Sequence, residues 1–253
     1  MSMSRSCLDL CRPDDSLLAT LMSKLHSPRT PPTVLAPVAP EIERYLHRLT
    51  DPHTEDPILL DMELRARENE FPIVGRLVGV FLKQLASMIG AKRIFEFGSG
   101  YGYSAWWFAQ AAGPSGEVYC TDGDSSNHHL AEDYLSRAGL WERIHFQVGV
   151  AQEIFPRVPG VFDICYNDVD KGDYPEVWRM ARERIRPGGL YIADNALWYG
   201  RVAVDDPVDV VPGWTEAVME HNRLIFEDEE FETFINPVRD GVLVARRLGQ
   251  MLT

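Results

Sequence analysis

The sequence lacks a CxxC pair and any Cys/His spacing typical of a zinc site, although it contains four cysteines. Cys7 and Cys11 lie near the amino terminus, whereas Cys120 and Cys165 lie in predicted buried strands. We therefore expect reduced thiols in a cytoplasmic protein, with Cys120 and Cys165 serving as small apolar core residues.

Long apolar runs and an excess of positive charge are also missing. No stretch approaches the length needed to cross a bilayer, and the amino terminus lacks the basic end and apolar core of a signal peptide. The 38 acidic and 25 basic residues give a net charge of −13 at pH 7. An acidic chain lacks the positive charge that neutralises phosphates, so we expect no nucleic-acid partner and no membrane contact.

The chain does contain enough apolar sequence for one large domain. Hydrophobic residues make up 45% of the 253 residues, without repeats or low-complexity tracts. Five prolines between Pro28 and Pro40 break regular structure after a short amphipathic stretch at 16–25. We interpret residues 1–40 as an N-terminal arm or linker, which either packs on a partner subunit or is a disordered tail, and residues 41–253 as one folded domain.

From residue 93 onwards, apolar runs of strand length alternate with segments of helical periodicity. The predicted strands are 93–97, 117–122, 144–148, 162–168, 190–194, 231–236 and 242–247. The predicted helices are 41–49, 58–69, 76–89, 103–112, 126–138, 152–155, 174–185 and 214–226. The last two strands are joined through Asp240-Gly241, a hairpin signature. This order predicts an α/β fold: a seven-stranded, mostly parallel sheet with one antiparallel hairpin strand and helices on both faces.

The segment 94–104, which reads Ile-Phe-Glu-Phe-Gly-Ser-Gly-Tyr-Gly-Tyr-Ser, joins the first strand to a helix through three alternating glycines. Glycine permits positive φ and a close approach of a ligand, and the helix N-terminus offers unpaired N–H groups. The pattern is typical of a turn that holds a nucleotide-like ligand. Tyr103 stands where a dinucleotide fingerprint has its third glycine, which disfavours a pyrophosphate site. A glycine-rich turn without a ligand is the alternative.

Polar residues follow the carboxyl ends of the strands, where open α/β sheets bind their ligands. Asp122 ends the second strand about twenty residues after the glycines, where an acid can accept hydrogen bonds from ribose hydroxyls. Alternatively Asp122 caps the following helix, a role that Asp124 or Ser125 could also fill.

Asp168, Asp194 and Asn195 follow the fourth and fifth strands, which we expect to lie beside the first strand. Two carboxylates and an amide oxygen, with no His or Cys, predict a site for Mg²⁺, Mn²⁺ or Ca²⁺. An ion would also offset the repulsion between the carboxylates. Lys171 can point to the same pocket and is suited to act as a general base. The alternatives are that Asp168 faces water, that Asp194 caps a loop and that Lys171 is a solvated lysine.

With these residues in hand, the chain resembles the cation-dependent class I O-methyltransferases that use S-adenosylmethionine, the group of catechol and caffeoyl-CoA O-methyltransferases and their bacterial relatives. The resemblance runs from about residue 74 to residue 247. It rests on Glu96-Phe-Gly-Ser-Gly-Tyr-Gly-Tyr-Ser104, Asp122, Ala151-Gln152, Asp168-Val-Asp-Lys171 and Asp194-Asn-Ala-Leu-Trp-Tyr-Gly-Arg-Val202. It implies a Rossmann-like methyltransferase fold for residues 41–253 and a homodimer.

The resemblance also implies a role for each motif. S-adenosylmethionine would be bound by Val74, Glu96, Gly98, Ser99, Ser104, Asp122, Ala151, Gln152 and Asp168. Asp122 would hold its ribose hydroxyls. A divalent cation, Mg²⁺ by analogy with the family, would be ligated by Asp168, Asp194 and Asn195, and Lys171 would take the proton from the methylated hydroxyl. Adjacent oxygens of a small catechol-like or phenolic acceptor would complete the cation's shell, and the loop 198–212 would help to form its pocket.

Two features depart from the family pattern. Asn167 replaces the apolar residue usual before the metal-binding aspartate, with a side chain that faces the opposite way from Asp168 along the strand. The N-terminal region is longer than in the compact bacterial members. Both features bear on the acceptor more than on the reaction. Two other hypotheses are a nicotinamide-dependent oxidoreductase, which the glycine spacing disfavours, and a non-catalytic binding protein on the same fold, which the intact polar residues disfavour.

Overall fold

The computed structural model describes residues 35–205, 207, 209 and 211–249. The amphipathic stretch at 16–25 and most of the predicted N-terminal arm lie outside these residues. Within the described residues, three α-helices precede the sheet: α1 (Pro40–Thr50), α2 (Pro57–Glu68) and α3 (Gly75–Met88). Asp56 caps the amino end of α2, because its side chain accepts hydrogen bonds from the backbone N–H groups of Ile58 and Leu59. This N-cap, followed by a proline, is a strong helix start.

The remaining elements alternate as predicted. The strands are β1 (Arg93–Phe97), β2 (Glu117–Asp122), β3 (Ile144–Val148), β4 (Phe162–Asn167), β5 (Ile185–Ala193), β6 (Phe231–Asn236) and β7 (Val242–Arg247). The helices between them are α4 (Tyr103–Ala112), α5 (Ser125–Arg137), α6 (Ala151–Ile154), α7 (Tyr174–Ala181) and α8 (Trp214–Phe226). Every helix and strand predicted after residue 40 is present, and most ends lie within one residue of the prediction.

The connection between α7 and β5 is the main difference. We predicted a helix to residue 185, a turn at 186–189 and a strand from 190, but α7 ends at Ala181 and β5 already begins at Ile185. Along β4, Phe162 pairs with Ile185, whereas Ile164 pairs with Leu190. The segment 186–189 is therefore a bulge within β5. A bulge tolerates proline and glycine because its residues leave the hydrogen-bond ladder, so turn-forming residues mark an irregular strand here.

The strands form a seven-stranded sheet in the order β3-β2-β1-β4-β5-β7-β6. Strands β1 to β5 pair in parallel, and β7 runs antiparallel to both β5 and β6. The predicted adjacency of the first, fourth and fifth strands is confirmed. The register pairs Phe97 with Asn167, Asn167 with Ala193, and Ala193 with Leu243. The residues that follow β1, β4 and β5 therefore meet those that precede β7 at one edge of the sheet.

Apolar side chains cover both faces of the sheet. Ile94 belongs to the cluster that includes Trp107 of α4, whereas Phe95 and Phe97 belong to the opposite cluster with Trp178 of α7. Side chains alternate along a strand, so Glu96 lies on the same face as Ile94. Cys120 and Cys165 are buried and form no disulfide, as predicted. Among the described residues, no helix is both long and apolar enough to cross a membrane.

Candidate active site

The glycine turn after β1 packs directly against the end of β4. Gly98, Gly100 and Gly102 all have positive φ, from 49° to 87°. A Cβ at Gly98 would lie 2.6 Å from the backbone oxygen of Asp168, so no larger residue fits without movement. The turn is also held to β2, because Ser99 N donates to the backbone oxygen of Thr121 at 2.8 Å and Ser99 Oγ accepts from Thr121 N at 3.2 Å.

Glu96 is a fully buried carboxylate beside this turn. The thiol of Cys120 donates to Glu96 Oε2 at 3.4 Å, while Oε1 has no hydrogen-bond partner among the described residues. Burial raises the pKa of Glu96 to about 7, against the opposing effect of the Ser99, Ser104 and Cys120 side chains. A buried carboxylate oxygen without a partner, next to a glycine turn, is suited to bind a cationic or hydrogen-bond-donating part of a ligand.

Asp122 lies at the end of β2 and is not the cap of the next helix. Asp124 caps α5, because its side chain accepts from Ser126 N at 2.8 Å. Asp122 Oδ1 accepts from Asp124 N at 2.8 Å and from Asn127 Nδ2 at 3.0 Å. These bonds fix the carboxylate and leave its Oδ2 for another donor, which is compatible with the predicted binding of ribose hydroxyls.

The other predicted cofactor residues lie at the starts of helices. Val74 directly precedes α3 and is buried, and Ala151 is the first residue of α6 and is also buried. Gln152 follows it and is partly exposed, and Ser104 is buried in the first turn of α4. Their contacts with a cofactor stay predictions.

Lys171 is buried, with 8% of its side chain exposed, so the alternative of a solvated lysine is wrong. Its Nζ donates to Asp168 Oδ1 at 3.2 Å, to the backbone oxygen of Val169 at 3.2 Å and to the Tyr174 hydroxyl at 2.7 Å. The Tyr174 hydroxyl donates in turn to the backbone oxygen of Asp194 at 3.0 Å. One chain of polar groups therefore links the ends of β4 and β5.

Asp194 makes a salt bridge rather than a loop cap. Its Oδ2 accepts from Arg239 Nη1 at 2.8 Å, and its buried Oδ1 has no hydrogen-bond partner among the described residues. Arg239 Nη2 also donates to the backbone oxygen of Ile73 at 3.1 Å. Asp168 keeps 29% of its side chain exposed, yet burial raises its pKa; the charge of Asp194 adds to this effect, and Lys171 opposes it.

Asn195 is oriented by a second buried carboxylate. Asn195 has a φ of 52°, and its Nδ2 donates to Asp240 Oδ2 at 3.2 Å. The other oxygen of Asp240 accepts from the backbone N–H of Tyr199. Burial raises the pKa of Asp240 to about 6. Because its NH₂ group faces Asp240, the amide of Asn195 keeps its carbonyl oxygen for a different partner.

The donor set fits a hard divalent cation in chemical type. Asp194 Oδ1 is buried without a partner, and Asp168 and Asn195 add further oxygens from neighbouring chain segments. In the part of the chain that the structure describes, the only three His, Cys, Asp or Glu side chains with ligand atoms within 4.8 Å of one another lie elsewhere, on α5: His128, His129 and Glu132. The predicted cation site differs from that cluster in its ligand types, because it combines two carboxylates with the amide oxygen of Asn195.

Arg239, Asp240 and Tyr174 were not predicted from the sequence. Asp240 was interpreted only as part of a hairpin turn, and Tyr174 only as the start of a helix. The signal for Arg239 and Asp240 is the antiparallel direction of β7, which brings its amino end to the carboxyl edge of β5. A charged pair in the turn before such a strand lies beside the site.

Aromatic rings flank Lys171 on the acceptor side. Trp198 and Tyr199 have φ values of 46° and 55°, unusual for such large residues. The Trp198 ring centroid lies 5.9 Å from Lys171 Nζ and 5.8 Å from the Trp214 ring centroid. The described part of the predicted acceptor loop therefore places flat apolar surfaces next to the amine, as an aromatic ligand requires.

Asn167 takes part in a buried network beneath the site. Its Nδ2 donates to the Tyr191 hydroxyl at 3.0 Å, which lies 2.9 Å from His221 Nε2. His221 Nδ1 lies 3.1 Å from Asn222 Oδ1, and Asn222 Nδ2 donates to the backbone oxygen of Ala196 at 2.8 Å. Burial lowers the pKa of His221 to about 4. The network joins β4, β5 and α8, so Asn167 acts in packing on the face away from Asp168.

Comparisons with known proteins agree on one family. The family model described as O-methyltransferase matches residues 55–248, which extends the resemblance back into α2. Caffeoyl-CoA O-methyltransferase 1 of Eucalyptus globulus is 32% identical over 179 residues, 68% of this chain and 73% of the relative. Tricin synthase 1 of Oryza sativa subsp. japonica is 29% identical over 228 residues, 85% of each chain.

A solved structure supports the same assignment. The O-methyltransferase TomG of Streptomyces achromogenes, which is involved in tomaymycin synthesis and was crystallised with S-adenosylmethionine, has a TM-score of 0.73 and 26% identity. The match covers 83% of this chain and 96% of TomG. The predicted Rossmann-like methyltransferase fold is thus confirmed.

Proposed function

This chain belongs to the O-methyltransferase family, and we propose that it methylates a hydroxyl of a small catechol-like or phenolic acceptor with the help of a divalent cation. As a family member, the protein is an enzyme that uses S-adenosylmethionine. This assignment excludes the hypotheses of a nicotinamide-dependent oxidoreductase and of a non-catalytic binding protein. The observation that carries the proposal is the chain of hydrogen bonds from Asp168 through Lys171 and Tyr174 to the backbone of Asp194, beside the glycine turn.

The methyl donor would lie along the carboxyl ends of β1 and β2. Glu96 Oε1, buried without a partner, is available for the positively charged methionine end. Asp122 Oδ2 is available for ribose hydroxyls, since Oδ1 is already bonded. The backbone contact between Gly98 and Asp168 leaves little distance between the donor and the acceptor side. Such alignment matters because methyl transfer is an in-line displacement that depends on the approach geometry.

Lys171 would receive the proton of the acceptor. The hydroxyl oxygen forms a bond to the methyl carbon, and the carbon–sulfur bond breaks with its electron pair on sulfur. The hydroxyl proton passes to the lone pair of Lys171 Nζ, which is a neutral amine at this step because the resting ammonium has first given one proton to water. Tyr174 and Asp168 hold this nitrogen in place, and the Trp198 ring lies beside it. An aromatic acceptor can pack against that ring while its hydroxyl faces the amine.

A divalent cation, Mg²⁺ in the first place, would lower the pKa of the acceptor hydroxyl and fix its oxygen when bound. Asp168, Asp194 and Asn195 would hold it, and Asp240 would keep the Asn195 amide turned correctly. The caffeoyl-CoA relatives support the phenolic acceptor class, whereas the cation is supported by the Asp194 oxygen that lacks a partner among the described residues and by the oxygens of Asp168 and Asn195.

A homodimer and a cytoplasmic location also stay predictions. The side chains of Ile42, Tyr45 and Leu49 on α1 are exposed although apolar, and a second copy of the chain could cover them. Light scattering of the purified full chain tests the dimer.

A methyl-transfer screen tests the proposed reaction. The full chain is incubated with S-adenosylmethionine and catechols, hydroxycinnamoyl thioesters or other phenols, with Mg²⁺ or with EDTA. We expect turnover with Mg²⁺ on an acceptor with adjacent oxygens. Asp168→Asn should lower kcat at least about 100-fold, whereas the matched change Asp170→Asn, at an exposed neighbour, should stay within about twofold. Full activity of Asp168→Asn in EDTA would contradict the cation's role.

A further inference from the structure

Arg239 occupies a backbone conformation that favours glycine. It lies in the turn between β6 and β7, with a φ of 52°, in the left-handed region that side chains disfavour. The following Asp240 is buried, and 30% of the Arg239 side chain is exposed. The two terminal nitrogens of the guanidinium bind Asp194 Oδ2 and the backbone oxygen of Ile73. These contacts hold a bulky cation in a backbone conformation that glycine would adopt at a lower cost in free energy.

The two carboxylates of the candidate cation site each face a cation of the chain. Asp168 pairs with Lys171 at 3.2 Å, and Asp194 pairs with Arg239 at 2.8 Å. A divalent ion gains most from carboxylates that are otherwise uncompensated, because their mutual repulsion is relieved when it binds. Here part of that repulsion is already offset by the two cations of the chain. An ion on Asp194 Oδ1 would also lie close to the guanidinium on Oδ2 and be repelled by it.

We propose that Arg239 is a permanent counter-charge of Asp194 that weakens the binding of a divalent cation. When no ion is bound, Arg239 also holds the acceptor side, made of the segments 168–174, 194–199 and 239–240, in place. The inference rests on the proposed function, since it takes Asp194 as a ligand of the ion. Arg239 is a positioning residue in this account: it acts on Asp194 and touches no reacting atom.

Direct binding of Mn²⁺ to the full chain, followed by electron paramagnetic resonance, tests the proposal. Arg239→Gly removes the charge and suits the backbone, Arg239→Gln removes the charge and keeps most of the length, and Arg239→Lys keeps the charge. We expect Mn²⁺ to bind the Gly and Gln variants at least about tenfold more tightly than the unmodified chain, and the Lys variant within about threefold.

A matched control lies in the same hairpin. Arg246 on β7 is exposed and pairs with Glu232 on β6, so Arg246→Gln removes an equal charge away from Asp194 and should leave Mn²⁺ affinity within about twofold. Adding Asp194→Asn to Arg239→Gln should abolish the tighter binding, which assigns it to this site rather than to the histidines of α5. Equal tightening in Arg246→Gln, or none in either neutral variant, would overturn the proposal.

The unmodified chain supplies a test that needs no variant. A Mn²⁺ dissociation constant below about 10 μM would contradict the weak binding that Arg239 should impose, whereas a constant near the millimolar range is expected. Methyl transfer is measured separately. Turnover that requires Mg²⁺, without tighter Mn²⁺ binding in the neutral variants, would defeat this inference and leave the proposed function standing. Tighter Mn²⁺ binding in those variants without turnover on any acceptor would support this inference and contradict the proposed function.

Discussion

The two sides of the proposed active site differ in how their charges are compensated: the proposed cofactor side around the segment 96–104, and the proposed acceptor side around Lys171. On the cofactor side, Glu96 is fully buried and no cationic side chain of the described residues bonds to it, so burial raises its pKa to about 7. On the acceptor side, Asp168 and Asp194 each pair with a cation of the chain. The cofactor side thus offers an uncompensated carboxylate to a cationic ligand, whereas on the acceptor side both candidate cation ligands already have a cationic partner before any ligand binds.

The sides also differ in how the chain builds them. The cofactor side comes mainly from the contiguous segment 96–104, tied to Thr121 of the next strand. The acceptor side draws on the segments 168–174, 194–199 and 239–240, which only the sheet brings together. If this division holds, a change on one side should alter one step of the reaction and leave the other step intact.

The largest effect is expected on the acceptor side, from Lys171→Met. Loss of the amine removes the proton acceptor, so kcat should fall by about 10²–10⁴-fold. The affinity for S-adenosylmethionine, measured by calorimetry, should change less than about threefold, since the hydrogen bonds of Lys171 go to Asp168, Val169 and Tyr174 and none goes to the segment 96–104. Lys92→Met, a change at a lysine that binds the backbone oxygen of Ala112, serves as the control. A parallel loss of cofactor affinity would show that the two sides are not separable.

Glu96→Gln should act on the cofactor side. S-adenosylmethionine carries positive charge, so it binds the ionised carboxylate, and loss of that charge should weaken binding about tenfold or more. Because the pKa of Glu96 is about 7, cofactor affinity of the unmodified enzyme should rise as the pH increases through about 7 and then level off. The Gln variant should lack this rise. Titrations between pH 6 and about 8.5, with exposed Glu142→Gln as control, would refute the assignment if both enzymes gave the same profile.

The same carboxyl group links stability to pH in the ligand-free enzyme. Its folded pKa is raised from the model-compound value of 4.5 to about 7, so its stabilising contribution is complete below about 4.5 and is lost as the pH rises through about 7. Relative to Glu96→Gln, the free energy of unfolding should therefore decline by about 3 kcal/mol over that interval. Urea unfolding at several pH values measures this difference, and a constant difference would exclude the linkage.

The smallest effect on activity is expected from Tyr191→Phe, beneath the site. The change leaves Asn167 Nδ2 and His221 Nε2 without their shared partner, so the free energy of unfolding should fall by about 1–3 kcal/mol. Turnover should stay within about threefold, since Asn167 points away from Asp168. Tyr45→Phe, at an exposed tyrosine of α1, is the control for stability. A large loss of kcat without loss of stability would assign the network a direct role in the chemistry.

Particular elements show how far sequence patterns reach. The apolar run of β1 and the helical periodicity of α3 and α4 fixed their bounds almost to the residue, because both patterns follow from local backbone geometry. The segment 186–189 misled the prediction, because proline and glycine suit a bulge as well as a turn. Which of the two forms depends on pairing with β4, a partner more than twenty residues away in the chain.

By itself, the sequence determined the order of the elements, the glycine turn and the polar residues at the ends of β1, β2, β4 and β5, since each of these is encoded within a short segment. Tertiary structure alone decided that Lys171 is buried, that Tyr174 bridges two strand ends, and that Arg239 and Asp240 join the site. The physical reason is that burial and charge pairing are properties of surroundings. For Lys171 and Tyr174 those surroundings come from the parallel neighbours β4 and β5, and for Arg239 and Asp240 they come from an antiparallel strand that returns a distant turn to the same edge of the sheet.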